Sequence, residues 1–97
     1  MTSGGGARRL DRWLWCSRLF RTRSAAAEFV AKYGVRHIRN AVTQRVARPG
    51  FCLETGDIIA FMLGDRLTRV RVIGFSERRP PAAGAAALLE WIDERES

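Results

Sequence analysis

A catalytic reading of this 97-residue chain has little to build on. Ser17, Thr22 and Ser24 supply hydroxyls, Cys16 and Cys52 supply thiols, and His37 is the single imidazole that could serve them as a base. Nothing around these residues has the Gly-x-Ser-x-Gly form of a nucleophile turn. Of the nearby acids, Asp11 lies one helical turn from Arg8 and Trp15 and reads as a structural ion pair or a helix-start residue. Glu54 and Asp57 fall in a turn. Gly4-Gly5-Gly6 precedes no strand-to-helix unit and lacks the lysine that a phosphate loop needs. One histidine and two distant cysteines are too few soft ligands for zinc. Cys16 lies in an apolar stretch and Cys52 between Phe51 and Leu53, so both read as small, reduced, buried hydrophobes. The expectation is a non-enzyme with no catalytic residue, no metal and no cofactor.

The guanidinium groups say more. The formal net charge is +7, and all of the basic residues except Lys32 are arginine. Residues 1–48 hold eleven basic residues against Asp11 and Glu28, whereas residues 49–97 hold six against eight acids. Segregation of this kind within one small domain points to a directed positive face. Arginine favours forked recognition of phosphate and stacking on bases. Arg18, Arg21 and Arg23 bracket a short link that also carries the hydroxyls of Thr22 and Ser24. If a helix starts there, its unpaired amides join them as a phosphate site. Arg36, Arg39, Arg45 and Arg48 return positive charge from the next strand and loop. The alternative for the link is that its hydroxyls merely cap and its arginines are solvated.

Several elements must position these groups. Leu10, Trp13, Leu14 and Ser17 recur at helical spacing within a first helix from about Arg9 to Phe20, with Arg8, Arg12, Trp15 and Leu19 on the other side. A second helix begins at Ser24, whose hydroxyl caps it, buries Ala26, Phe29, Val30 and Tyr33, and stops at Gly34. Ile58 to Leu63 reads as a buried strand, turned at Gly64-Asp65 into a partner from Arg66 to Phe75. Pro80-Pro81 leads to an alanine-rich helix from Ala82 to about Glu94, with Ala85, Leu88, Leu89 and Ile92 as its apolar stripe. Trp13 and Trp91 belong to the core. Trp15 is either a platform for a base or is covered by that last stripe. The class is α+β, a helical hairpin packed on a small antiparallel sheet with a C-terminal helix. Residues 1–7 form a flexible leader, 8–75 the binding domain and 76–97 an extension. With no run of 18 apolar residues and no apolar segment near Met1, no membrane partner is expected, and the setting reads as cytoplasmic.

The ordered set Arg9-Leu10-Asp11-Arg12-Trp13-Leu14-Trp15, Thr22-Arg23-Ser24 and Gly56-Asp57-Ile58 resembles the alpha-L RNA-binding motif, first known from ribosomal small-subunit protein S-four. The double tryptophan, with Glu77-Arg78-Arg79-Pro80 and the alanine-rich segment, is similar to a ribosome-associated heat-shock branch of that superfamily. The resemblance runs from Arg8 to about Trp91. It implies RNA contacts at Arg9, Arg12, Arg18, Arg21, Thr22, Arg23, Ser24 and Arg36, with Arg39 and Arg45 as further candidates. It also implies that the partner is ribosomal RNA on the free large ribosomal subunit, together with transfer RNA linked to a stalled nascent chain, and a role in the heat shock response. The protein is expected to act as a monomer. Two features depart from the pattern. Arg39-Asn40-Ala41 and a few extra residues replace the usual Asn-Gly turn, and the end of the chain, Asp93 to Glu96, lacks a basic tail. Two rivals stand beside this reading: a general RNA or DNA binder acting off the ribosome, and a protein–protein adaptor that docks through its acidic end.

Overall fold

A computed structural model describes residues 3–92. Its sheet has five antiparallel strands in the order Val42–Val46, Val35–Arg39, Ile58–Leu63, Arg66–Val72 and Leu89–Trp91, with the helices Leu10–Cys16 and Arg23–Tyr33 packed on one face. The elements run α1 (Ser3–Arg8), α2 (Leu10–Cys16), α3 (Arg23–Tyr33), β1 (Val35–Arg39), β2 (Val42–Val46), β3 (Ile58–Leu63), β4 (Arg66–Val72), α4 (Ala82–Ala85) and β5 (Leu89–Trp91). The α+β class and the helical hairpin are as expected.

One core joins the two layers. Leu10, Trp13 and Leu14 of α2 and Ala26 and Val30 of α3 meet Val35, Ile59, Phe61, Val70 and Val72 of the sheet. Alternation along β4 puts Val70 and Val72 inward, each fully buried, while Arg69 and Arg71 turn the other way. The Trp13 indole donates to the Gly74 carbonyl (3.1 Å), so its one polar atom is satisfied inside.

The differences from expectation have local causes. The first helix stops at Cys16: the Ser17 hydroxyl donates to the Leu14 carbonyl and Arg18 takes a left-handed φ of 68°. The chain thereby folds Leu19 and Phe20 back to the core, where the Phe20 ring meets those of Phe29 (5.3 Å) and Phe61 (5.8 Å). Residues 3–7, expected within a flexible leader, are helical together with Arg8. Three glycines disfavour a helix by about 1 kcal/mol each, so tertiary contacts carry this one. Ala7 is buried, the Arg8 carbonyl accepts from the Leu53 amide (2.9 Å), and the Arg8 guanidinium sits over Phe75.

The C-terminal helix is one turn, Ala82–Ala85, rather than a run to Glu94, of which residues 93 and 94 lie outside the described part. Alanine spacing suggested a helix, but the open edge of β4 competes for the backbone. Leu89–Trp91 pairs with Val70–Val72, and the Leu88 carbonyl accepts from the amides of Ile73 and Gly74. Trp91 is consequently on an edge strand and 65% exposed, not in the core. Cys52 is likewise exposed, because it lies in an isolated bridge to Arg9 that turns its side chain out; Cys16 is buried, and both thiols are free. Tyr33, placed on the buried face, is exposed at the last turn of α3. The β1–β2 connection has no extra residues. Arg39 pairs with Val42, and Asn40 and Ala41 form a two-residue turn with φ of 52° and 67°. Among the described residues, no helix is long and apolar enough to cross a membrane.

Candidate nucleic-acid interface

The α2–α3 hairpin is held by one buried carboxylate. Asp11, in the first turn of α2, accepts from Arg9 Nε (3.1 Å) and Nη2 (3.0 Å) in a fork, and Arg23 Nε at the start of α3 lies 3.6 Å away. The Asp11 side chain is only 5% exposed, whereas each arginine side chain keeps about two fifths of its surface open. The Asp11 hydrogen bond and charge raise the Arg9 pKa above its ordinary value, with burial opposing weakly. Asp11 is therefore the structural ion-pair residue that its spacing suggested, although its partners are Arg9 and Arg23 rather than Arg8. The main chain fixes the same corner: the amides of Leu10 and Asp11 donate to the carbonyls of Phe51 and Pro49.

At the start of α3 the cap is Thr22, not Ser24. Thr22 has an extended backbone and its hydroxyl accepts from the Ala25 amide (2.9 Å). Helical residues begin at Arg23, which moves Ser24 into the first turn with an exposed side chain. Arg21, Arg23 and Ser24 thus surround the positive end of an 11-residue helix, where amides beyond the capped one are open.

The remaining candidates separate into two further groups. Arg12 and Arg18 strap the extension to α2: Arg12 Nη2 donates to the Glu77 carbonyl and Arg18 Nε to that of Pro80 (3.1 Å). Arg79 answers from the extension, donating to the carbonyls of Trp15 (3.0 Å) and Phe20 (3.1 Å). Its guanidinium lies over the Trp15 ring, so the half-buried Trp15 is covered by a cation and not by the leucine stripe. Arg36 and Arg45 face each other across β1 and β2, on the sheet face away from the helices. Arg45 also donates to the Tyr33 carbonyl (3.0 Å), and its guanidinium lies about 2.8 Å from where a Cβ on Gly34 would stand. That guanidinium is the end of a flexible side chain and can move aside, so it is the φ of +76° that requires glycine at Gly34.

Arg39 belongs to a buried network. It donates to both oxygens of Asp57 at 2.8 Å, His37 Nε2 lies 2.8 Å from Asp57 Oδ2, and the Glu54 amide donates to the same oxygen (2.9 Å). Burial alone would raise the Asp57 pKa, but the bonds from Arg39, Glu54 and His37 outweigh it and hold the carboxyl below its ordinary value. His37 and Asp57 are both nearly sealed from solvent, and the second ring nitrogen of His37 faces Gln44, not a hydroxyl or thiol. This pair fastens the end of β1 to the Glu54–Asp57 turn.

Sequence reasoning missed that two carboxylates organise the arginines. The signals were present as the Leu-Asp of the first motif and the Gly-Asp of the last. It also left aside Arg69, which stands in the row of Arg36 across the sheet.

No protein-family model matches the chain. It is 38% identical over 82 residues to the heat shock protein 15 homolog of Aeromonas salmonicida, covering 84% of this chain and 58% of that protein. With heat shock protein 15 of Escherichia coli it shares 34% identity over 86 residues, covering 89% and 61% respectively. The chain thus spans about three fifths of the length of these curated relatives. The solved trimeric heat shock protein 15 of Vibrio cholerae matches with a TM-score of 0.74 and 31% identity, over 87% of this chain and 80% of that one. Alignment at this level along most of both folded chains places the protein in the heat shock protein 15 family, a branch of the S-four-like RNA-binding superfamily.

Proposed function

We propose that this protein binds structured RNA by shape and charge, gripping phosphates with the start of α3 and the arginines around it. The observation that carries this reading is the corner where Asp11 holds Arg9 and Arg23 in place beside exposed Arg21 and Ser24 at an open helix N-terminus. Base edges contribute little, since side chains cannot enter the deep groove of an RNA duplex. Family membership supports a finer statement: the RNA is ribosomal, on a free large subunit that retains a nascent chain on transfer RNA, and the protein returns such blocked subunits to use during heat shock in the cytoplasm. It works as a binder and not as an enzyme, a reading supported by the sealed His37–Asp57 pair.

Sedimentation of a lysate through a sucrose gradient tests the finer statement. The protein should travel with free large subunits and be stripped by high salt. Sedimentation at the top of the gradient together with salt-sensitive binding to arbitrary RNA would favour a general nucleic-acid binder instead.

A further inference from the structure

The face of the sheet turned away from α2 and α3 carries a second cationic surface that the hairpin does not explain. Register places Arg45, Arg36, Ala60 and Arg69 in one row across β2, β1, β3 and β4. Because His37, Ile59 and Val70 point into the core, alternation turns this row outward. β3 and β4 project past the start of β1, bringing the Met62–Leu67 pair beside the end of α3. Together with Tyr33 these residues line an open groove of about 1200 Å³.

Three properties identify what this groove can hold. None of its lining residues is acidic, and among the described residues Arg36 and Arg69 have no ion-pair partner. Its apolar side chains are open to water: Tyr33 is 58% exposed, Met62 50% and Leu67 46%. Its volume exceeds the roughly 300–1,000 Å³ of sites that enclose one small molecule. A simple anion leaves the apolar floor uncovered, and an apolar ligand leaves the guanidinium groups of Arg36 and Arg69 unanswered. The phosphates of a duplex ridge would meet the rim alone. An unpaired strand satisfies both, with phosphates on the arginines and base faces on Tyr33 and the guanidinium planes. Continuity with the hairpin favours the same occupant. The phosphate corner is at the start of α3 and the groove at its end, and an 11-residue helix is about 16 Å long.

We propose that this groove takes a single-stranded stretch of RNA flanking the structured element held by the hairpin. The inference rests on the RNA-binding reading above and adds the class of substrate that the second surface takes. The test uses two labelled RNAs at one fixed salt concentration: a blunt stem-loop, and the same stem-loop with an eight-nucleotide uridine extension. The extension should tighten binding about tenfold for the unaltered protein. Arg69→Ala, and separately Tyr33→Ala, should remove most of that gain and leave the affinity for blunt RNA within about twofold, whereas Tyr33→Phe should retain it. Arg21→Glu should weaken both RNAs alike. Unchanged melting temperatures of the groove variants verify that they are folded. An extension that adds nothing to a protein that still binds the blunt RNA overturns the groove and spares the hairpin. Failure to bind either RNA overturns both. Displacement by an oligoglutamate peptide, with no gain from the extension, assigns the groove to an acidic protein partner and refutes the proposal.

Discussion

Arg39→Ala separates a structural arginine from one that faces RNA. Sequence places Arg39 among the RNA contacts, yet its fork closes on Asp57, whose side chain is 2% exposed. Removing an RNA-facing surface arginine should change stability by about 0.5 kcal/mol or less. Removing Arg39 instead leaves a buried carboxylate with only His37 and the Glu54 amide, and a broken buried pair costs about 3–5 kcal/mol. Total stability of a small domain is about 5–15 kcal/mol, so the variant should lose a large share of it. At about 4–8 °C per kcal/mol, the melting temperature should fall by about 12–40 °C. Urea unfolding followed by circular dichroism reads the loss directly. The pH dependence gives an independent check. The lowered Asp57 pKa means that its stabilisation is complete above the ordinary value of 3.8 and is lost as pH falls through the lowered one. Without Arg39 the lowering is weakened, so the variant should lose less stability on acidification than the unaltered protein does. Asp57→Asn should restore part of the loss in the Arg39→Ala background. A loss below 1 kcal/mol, with the same acid profile as the unaltered protein, would refute the structural role.

Arg21→Glu should weaken RNA binding at least tenfold in a shift assay with the melting temperature unchanged, because Arg21 is exposed and has no ion-pair partner among the described residues. Arg23→Glu should weaken binding too, but it sets a second carboxylate beside Asp11 and should also lower the melting point, which makes it the poorer probe. If four to six phosphates are neutralised, log affinity against log salt should have a slope of about −3 to −4, measured by titration in potassium chloride. Ala41→Gly should stabilise the protein by about 0.5–1 kcal/mol in thermal melts, since Ala41 holds a φ of 67° that glycine adopts without strain.

The hairpin and the β3–β4 pair were legible because they obey local rules. The helical spacing of Leu10, Trp13 and Leu14 and the alternation of Val70 and Val72 each mark a single buried face. Gly34 and Gly64 supply the positive φ at the ends where they were expected. What was not legible depends on partners distant in sequence. Leu89–Trp91 is a strand because β4 had an unpaired edge, and alanine propensity could not reveal that edge. Asn40-Ala41 makes the tight turn that Asn-Gly usually makes, since the register of β1 on β2 overrides the cost at Ala41. The candidate site was legible as a set of residue types, but not as a division of labour among them.

That division follows from how an arginine-rich half can fold at all. Nine net positive charges within 48 residues repel unless some are neutralised, and Asp11 and Glu28 are the only acids in that stretch. Asp11 answers two of the arginines from a buried position, and Asp57, reached across the sheet, answers Arg39. Arg12, Arg18 and Arg45 are turned onto backbone carbonyls, which accept from a cation without adding a charge. Folding thus uses up some guanidinium groups as fasteners and fixes where the others stand. Arg21 and Arg36, together with Arg69 from the second half, remain without an acidic partner among the described residues, at opposite ends of α3. A polyanion is the partner that completes their charge, so substitutions at these positions should alter affinity, while those at the fasteners should alter stability first.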